Sequence, residues 1–345
     1  MQAELSDGVA SGAFQPLSVL QLLAMGAEGR HRVRANREVI RPWLQTLPPS
    51  LADEAVVALD LGEQAESLGP AVPVVRVSTE DASVDKTPLK VTPRRAANLL
   101  SRPFHVVLEN GANDGDFLLA FARNDERVPL EAALNEGWLE YWNGGGIAGC
   151  LARAEQLQGS AAICARTFVM VDSDARSPGQ EDEAAGKVRA ALKAAAGDWT
   201  SLGHVLKRRA IENYVPAEAF ASWWAKGHLT AAAEADAREW LRDADETAMA
   251  GLAGDHHQRV WICAMVYATV DDKVRDHYDV SLGRGSSGNL RTDDAIWNQL
   301  TPWQQEALKH GLGKKNVRAF YKKARNLGET APEVADIVRR ILRSL

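Results

Sequence analysis

The chain has little cysteine, no long apolar run and no excess of positive charge. Cys150, Cys164 and Cys263 are the three cysteines among 345 residues, and they lie too far apart for the paired spacing of a zinc site. We expect each to be buried, in a protein of a reducing compartment such as the cytoplasm. No stretch approaches the roughly 20 apolar residues that span a bilayer, and the first residues form no basic-then-apolar signal segment. We therefore expect a cytoplasmic protein without membrane contact.

The overall charge is slightly acidic. A net charge of -6 and a pI of about 5.8 argue against a uniformly basic coat for nucleic acid, although a local basic groove is compatible with this total. One region near the C-terminus is clearly basic, with ten Lys and Arg against Glu329, Glu333 and Asp336. This region is either a solvated amphipathic helix or a surface that binds a nucleic-acid backbone.

Hydrophobic patterning divides the chain into three parts. The length allows two domains, or one with additions, and the 46% hydrophobic content supports a core. Residues 1–100 predict an N-terminal α+β accessory segment. Residues 101–216 alternate strand and helix signals, which is typical of a parallel α/β sheet flanked by helices. Residues 217–345 predict a helical C-terminal region with a basic end.

Within the N-terminal segment, the apolar spacing over residues 16–47 predicts a helix that leads into an exposed basic helical face. Residues 55–61 and 72–77 have the apolar content of strands, and residues 94–100 predict a helix with proline in its first turn. The basic face comprises Arg30, Arg32, Arg34 and Arg37.

The central part predicts four strands separated by helices. The expected strands are residues 104–108, 138–142, 167–171 and 202–206, and the expected helices cover 114–123, the stretch up to 157, and 182–195. Beyond it, we expect helices at 217–224, 230–242 and 257–276 and a loop at 283–288. Lys314 follows a glycine and reads as a helix start with an exposed lysine, or less well as a phosphate contact.

Carboxylates follow the ends of predicted strands. Glu109 follows one strand, and Asp172 and Asp174 follow another. Since the carboxyl ends of parallel strands meet at one edge of a sheet, these groups can converge there. Alternate residues point the same way, so both aspartates can face one cation while Ser173 points elsewhere. The hard oxygen ligands suit Mg²⁺ or Mn²⁺; the alternative is that the aspartates cap the next turn.

These pieces together resemble the TOPRIM domain, most closely its OLD-like and related stand-alone bacterial nuclease branches. The resemblance covers about residues 104–216, and its last piece is the most specific. It rests on Val107-Leu108-Glu109 with Gly111 and Asp114, on the turn of Gly144, Gly145 and Gly146, on Val171-Asp172-Ser173-Asp174, and on Lys207-Arg208-Arg209-Ala210-Ile211-Glu212-Asn213-Tyr214.

The sequence departs from the family pattern at one place. The family writes Glu-Gly-x-x-Asp, whereas Asn110 intervenes here to give Glu-Asn-Gly-Ala-Asn-Asp. A one-residue insertion leaves Asp114 in the aspartate's role. Asn113 or Asp116 can instead take that place, and Asp114 can simply cap the following helix.

The resemblance implies hydrolysis of a phosphodiester in DNA or RNA with one or two Mg²⁺ or Mn²⁺ ions, in an anti-phage defence or toxin-like system. Glu109, Asp172 and Asp174 would bind metal, with Asp114 as a further ligand, and Glu212 would complete a second metal site. Glu109 would also serve as general acid or base. Lys207 and Arg208 would supply positive charge to the scissile phosphate, and Tyr214 would fix the loop after Glu212.

Relatives of this family often act with an ATPase, and the chain carries no Walker motif, so we expect a separate ATPase subunit. A monomer and a homo-oligomer are both compatible with the sequence. Two other functions stay open. One is a binding or regulatory protein on a catalytically degenerate TOPRIM-like scaffold, and the other is a nucleotide-sugar transferase that holds a diphosphate through Asp172 and Asp174.

Overall fold

The protein contains two parallel sheets flanked by helices, which confirms the α/β class. The computed structural model describes residues 1–68, 74–80, 89–175, 181–196, 202–216, 297–302 and 312–345, with isolated positions between 219 and 305. Each sheet has four strands, and every neighbouring pair of strands is parallel. In these ranges, no helix combines the length and the apolar content needed to cross a membrane.

The N-terminal segment forms the first sheet. Its strands are β1 (Gln2–Leu5), β2 (Arg32–Arg34), β3 (Val74–Val77) and β4 (Leu89–Val91), in the order β2-β1-β3-β4. Its helices are α1 (Asp7–Ala10), α2 (Pro16–Ala27), α3 (Arg37–Leu44), α4 (Pro49–Leu68) and α5 (Pro93–Leu100). The segment is thus a parallel α/β unit, whereas the sequence predicted a looser α+β arrangement.

Two predictions for this segment are wrong. Residues 55–61 lie inside α4, where Ala55, Ala58 and Leu59 are buried at helical spacing and the intervening valines are exposed. The basic run is not a helical face, because Arg32 and Arg34 flank the buried Val33 in strand β2. The predicted strand before residue 77 and the helix α5 are confirmed.

The second sheet carries the predicted alternation of strand and helix. Its strands are β5 (Phe104–Leu108), β6 (Leu139–Asn143), β7 (Thr167–Val171) and β8 (Gly203–Val205), in the order β6-β5-β7-β8. Its helices are α6 (Gly111–Phe121), α7 (Asn124–Asn135), α8 (Ile147–Leu157), α9 (Ala161–Cys164) and α10 (Glu183–Ala196). All four strands are confirmed to within one residue or so, and α7 is an addition that the sequence reading missed.

Strand β7 is buried on both of its faces, so its five residues form a continuous apolar or neutral run. Phe168 and Met170 pack in the cluster that contains α6, and Val169 and Val171 pack in the opposite cluster with α8 and α10. That second cluster also contains the core of the first sheet, such as Ala3. The two sheets therefore share one continuous hydrophobic cluster.

The C-terminal helices cover the face of the second sheet that carries α6. They are α11 (Lys314–Lys323) and α12 (Pro332–Ser344). Gly313 is the N-cap of α11, which confirms the interpretation of Lys314 as a helix start. The helices predicted at 217–224, 230–242 and 257–276 and the loop predicted at 283–288 lie outside the described residues, apart from isolated positions. All three cysteines are buried, as expected.

Candidate metal and catalytic site

Strand order places a crevice between β5 and β7. The chain leaves β5 on one side to form β6, while β7 pairs with the other side of β5. The loops that follow β5 and β7 therefore part in opposite directions, which is where open α/β sheets bind ligands. Glu109 directly follows β5 and Asp172 directly follows β7. The topology itself brings these two carboxylates to the same edge.

Five carboxylates gather at this edge. The pKa of Asp172 lies well above its ordinary value, first because the group is buried and then because it feels the charges of Glu109, Asp114, Glu212 and Asp174. Glu212 and Asp114 are themselves buried. Like charges in such a place favour either a bound proton or a bound cation. The structure thus brings together all five residues that the sequence proposed as metal ligands.

Hydrogen bonds hold the end of β7 against the Glu109 side chain and against the loop of Arg208 and Arg209. The Asp172 N–H donates to Glu109 Oε1 at 2.8 Å. Asp174 has a φ of 48°, a left-handed conformation that aspartate tolerates, and its N–H donates to the carbonyl of Arg209 at 3.0 Å. The Ser173 hydroxyl donates to the carbonyl of Arg208 at 2.7 Å and is buried, so Ser173 points away from the cluster as predicted.

The extra residue after Glu109 forms a helix cap. Asn110 is the N-cap of α6, and its side chain accepts the N–H of Asn113 at 3.2 Å. Asp114 reaches back so that its Oδ2 accepts the Asn110 N–H at 2.9 Å. Asp114 therefore caps the helix and also adds its charge to the cluster. Asp116 instead pairs with Arg318, at 3.1 Å between Oδ2 and Nε.

The glycine-rich turn after β6 lies against the Glu109 backbone. The Gly146 N–H donates to the carbonyl of Glu109 at 3.1 Å, and Gly146 has a φ of 93°, which favours glycine. A Cβ added to Gly144 would lie 2.4 Å from Cys150 Sγ and 3.0 Å from the carbonyl of Leu108. The turn can approach β5 so closely only because a side chain is absent there.

Cys150 borders the cluster but is not a nucleophile. Burial and then the charges of Glu109, Asp114 and Asp172 raise the pKa of its thiol to about 12. A thiol with such a pKa stays protonated at neutral pH and is unreactive.

The basic residues before Glu212 play different parts. The Arg208 guanidinium donates from Nη1 to the carbonyl of Asn213 and stacks 5.0 Å from the centre of the Tyr214 ring. Arg208 thus holds its own loop together, whereas the Lys207 side chain is exposed. The Tyr214 hydroxyl accepts the Arg208 N–H at 3.1 Å, so Tyr214 supports the loop that precedes Glu212.

Glu333 anchors the same loop from helix α12, and the sequence reading did not assign it a role. Its Oε1 accepts from His204 Nε2 at 2.6 Å and from the Lys207 N–H at 2.9 Å. Its Oε2 accepts from the Tyr214 hydroxyl at 2.7 Å. Burial alone would raise the pKa of Glu333, but these hydrogen bonds lower it below the ordinary value. No local pattern could have revealed a contact across more than a hundred residues.

The donor set fits a hard divalent cation by its chemistry. It offers carboxylate oxygens, which Mg²⁺ and Mn²⁺ prefer. Across the ranges described above, no three His, Cys, Asp or Glu side chains are arranged so that they could hold one ion. Glu109 and Asp114 each turn an oxygen to a backbone N–H, as given above. Binding would therefore involve a change in the direction of these side chains.

No protein-family model matches the chain, and neither a curated protein nor a solved structure is significantly similar to it. The function therefore has to be argued from the residues of the site and their placement in the fold.

Proposed function

We propose that the chain is a Mg²⁺- or Mn²⁺-dependent nuclease that hydrolyses phosphodiester bonds of DNA or RNA. The observation that carries this proposal is the gathering of five carboxylates around Asp172 at the crevice between β5 and β7. Such crowding of acidic groups costs free energy unless protons or cations neutralise it. The resemblance of residues 104–216 to TOPRIM nucleases supports the same activity, and a role in defence rests on that resemblance alone.

Asp172, Asp174, Glu109 and Glu212 would hold the metal, with Asp114 as a further ligand. Bound divalent ions would activate the attacking water and stabilise the charge that develops on the phosphate. Among the protein groups, Glu109 would serve as general acid or base. The exposed Lys207 would contact the phosphate.

Cleavage of labelled DNA and RNA in Mg²⁺ or Mn²⁺ tests the proposal. We expect Asp172→Asn to lower the rate by about 100-fold or more, since it removes a metal ligand and keeps the shape of the side chain. Glu109→Gln should have a similar effect. Asp125→Asn makes the same chemical change at an exposed position of α7 and should leave the rate unaltered.

Cleavage by both site variants at the wild-type rate would refute the proposal. Wild-type protein that binds nucleic acid but cleaves none with either ion would favour the regulatory alternative. Binding of nucleotide diphosphates through Asp172 would favour the transferase.

A further inference from the structure

Helix α11 presents a row of positive side chains to solvent. Lys315, Arg318 and Lys322 are exposed and follow one another at intervals of three and four residues, so they lie on one side of the helix. We call these three residues the basic face. Val317 and Phe320 are buried on the other side, in the cluster that contains α6. The helix is thus anchored by its apolar side, and its basic face is available to a partner.

The surrounding sequence contains no negative charge to neutralise this face. Residues 307–328 include no Asp and no Glu. The seven basic residues in that stretch are Lys309, Lys314, Lys315, Arg318, Lys322, Lys323 and Arg325. Arg318 does pair with Asp116 of α6, but 44% of its side chain remains exposed. A solvated helix in a soluble protein usually mixes both signs, and this one does not.

The basic face lies on a helix that packs against α6, the helix that carries Asp114 of the cluster. Arg318 contacts Asp116, the Tyr321 ring lies 5.4 Å from the Phe117 ring, and Gly328 packs against the carbonyl of Phe121. Residue numbers rise together along the two segments, so α11 runs parallel to α6. The first turn of α11 therefore lies at the same end as the first turn of α6. That turn of α6 carries Asp114 of the cluster.

We propose that the basic face of α11 binds the phosphate backbone of double-stranded DNA and leads it to the carboxylate cluster. Lys315 and Lys322 are seven residues apart, about 10 Å along a helix, which spans about three phosphates of one strand of B-DNA. The aromatic residues of α11, Phe320 and Tyr321, are buried, so the helix offers charge without a stacking platform. A single strand would call for exposed rings, whereas a duplex keeps its bases inside.

The choice of DNA over RNA follows from the same side chains. An RNA duplex is recognised by its shape and by contacts with its 2′-hydroxyls, each of which can both donate and accept a hydrogen bond. Lysine and arginine are donors only. The Asn316 side chain is engaged with the carbonyl of Leu312 at 2.9 Å. The lysine and arginine side chains of the basic face therefore match phosphate oxygens, and they offer no acceptor to a ribose 2′-hydroxyl.

Because this inference rests on the proposed nuclease function, its test measures binding apart from cleavage. Fluorescence anisotropy with a short labelled DNA duplex, in EDTA and over a series of salt concentrations, gives the slope of log K against log salt. The triple variant carries Lys315→Gln, Arg318→Gln and Lys322→Gln. We expect it to reduce the magnitude of that slope by about 2 to 3. It should also weaken binding at low salt by at least tenfold. The sequence of the duplex should make no difference.

Two further variants control for folding and for bulk charge. Lys315→Gln with Lys322→Gln leaves the Arg318–Asp116 pair in place and should reduce the slope by about 2. Lys187→Gln with Arg189→Gln and Lys193→Gln removes the same total charge from exposed positions of α10, which packs on the opposite face of the second sheet. That variant should bind DNA as the wild type does.

An unchanged slope in both α11 variants would overturn the inference, and so would tighter binding of duplex RNA or of single strands than of duplex DNA. Cleavage by the wild type in Mn²⁺ is measured in parallel. If the wild type cleaves nucleic acid and the slope is unchanged in the α11 variants, the role of the basic face in DNA binding is refuted while the nuclease function stands. If duplex binding depends on α11 but the wild type cleaves nothing, DNA binding by the basic face is supported and the nuclease function is refuted.

Discussion

At the scale of single residues, Asp172 is a buried group whose ionised form is disfavoured by the carboxylates around it. Its raised pKa means that the ionised carboxylate is less stable in the folded protein than in the unfolded chain. We expect Asp172→Asn to stabilise the metal-free protein at pH 7, and each gain of about 1 kcal/mol raises Tm by about 1–2 °C for a chain of 345 residues. Thermal unfolding in EDTA measures this.

Added Mg²⁺ should reverse this difference, so that the wild type has a higher Tm than Asp172→Asn. A ligand that binds only the folded state stabilises it by about 2.7 kcal/mol at a concentration of 100 Kd, and Asp172→Asn should lose most of that gain. Asp125→Asn should follow the wild type in both conditions. A lower Tm for Asp172→Asn in EDTA would show that the carboxylate is already stabilised by its surroundings.

Glu333 leads to a prediction about pH. Its pKa is lowered in the folded protein, so the ionised group stabilises the fold above its unfolded pKa of about 4.3, and this stabilisation is lost as the pH falls through the lower folded pKa. We expect Glu333→Gln to cost about 1–2 kcal/mol at pH 7, because hydrogen bonds to a charged group are replaced by weaker ones. Urea unfolding at a series of pH values measures the cost.

The difference between Glu333→Gln and the wild type should shrink below about pH 4.3, where protonation of Glu333 begins to remove its advantage. Glu329→Gln makes the same change at an exposed position nearby and should cost little at any pH. A difference that stays constant down to acid pH would mean that the charge of Glu333 is not what holds the loop.

The sequence could supply the acidic residues of the site but not their supports. Glu109 and Asp172 each follow an apolar strand, and this local signal is enough to place them at one edge of a parallel sheet. Glu333 and His204 meet only through the packing of α12, so no spacing reveals them. The sequence also does not show that Arg208 supports its own loop, because this role follows from the contact of its guanidinium with the Tyr214 ring.

At the scale of elements, the turn between β6 and α8 should be sensitive to a single methyl group. A Cβ on Gly144 would lie far inside contact distance of Cys150 Sγ and would press on the carbonyl of Leu108. We expect Gly144→Ala to destabilise the protein by about 1–3 kcal/mol, as overpacking commonly does. It should also weaken divalent-ion binding, because the turn bonds to the Glu109 carbonyl.

Gly159→Ala is the matched control, because a Cβ there would meet no atom within 4 Å. It should leave both the stability and the ion affinity close to those of the wild type. If chemical denaturation finds Gly144→Ala as stable as Gly159→Ala, the close approach of the turn to β5 is not required.

Elements were predictable where their apolar pattern was long and bounded by turns. Strand β7 ends directly before Asp172 and is recognisable in the sequence from the apolar run Phe168 to Val171, and all five of its residues are buried. Strands β1 and β2 have four and three residues, which is too few to show a period. Arg32 and Arg34 in β2 are also typical of an exposed charged surface and not of a strand. Helix α4 was misread because its apolar residues also occupy exposed positions such as Val57.

At the scale of the whole molecule, His31 ties distant parts of the chain together. It is buried, and its ring nitrogens lie 2.7 Å from the carbonyl of Leu100 and 2.8 Å from the carbonyl of Leu345. His31→Ala would remove the buried ring and the N–H that it can donate to one of these oxygens, and we expect it to cost about 1–3 kcal/mol. Arg95→Ala, at an exposed position of α5, should cost much less.

Thermal unfolding followed by circular dichroism and by tryptophan fluorescence measures the effect of His31→Ala. Both probes should shift together, because one hydrophobic cluster joins the two sheets. A shift in one probe alone would mean that the N-terminal segment unfolds independently. The sequence predicts only an accessory segment there, because a shared core depends on tertiary packing and leaves no mark in local patterns.

The central claim is that the carboxylates between β5 and β7 bind the metal ions that a nuclease needs. Anomalous diffraction from crystals soaked in Mn²⁺ tests it most directly, because the signal locates the ion itself. The account predicts one or two Mn²⁺ peaks among Glu109, Asp172, Asp174 and Glu212, and no such peak in Asp172→Asn crystals. Wild-type crystals without a peak in this cluster, from protein that cleaves nucleic acid in Mn²⁺, would contradict it.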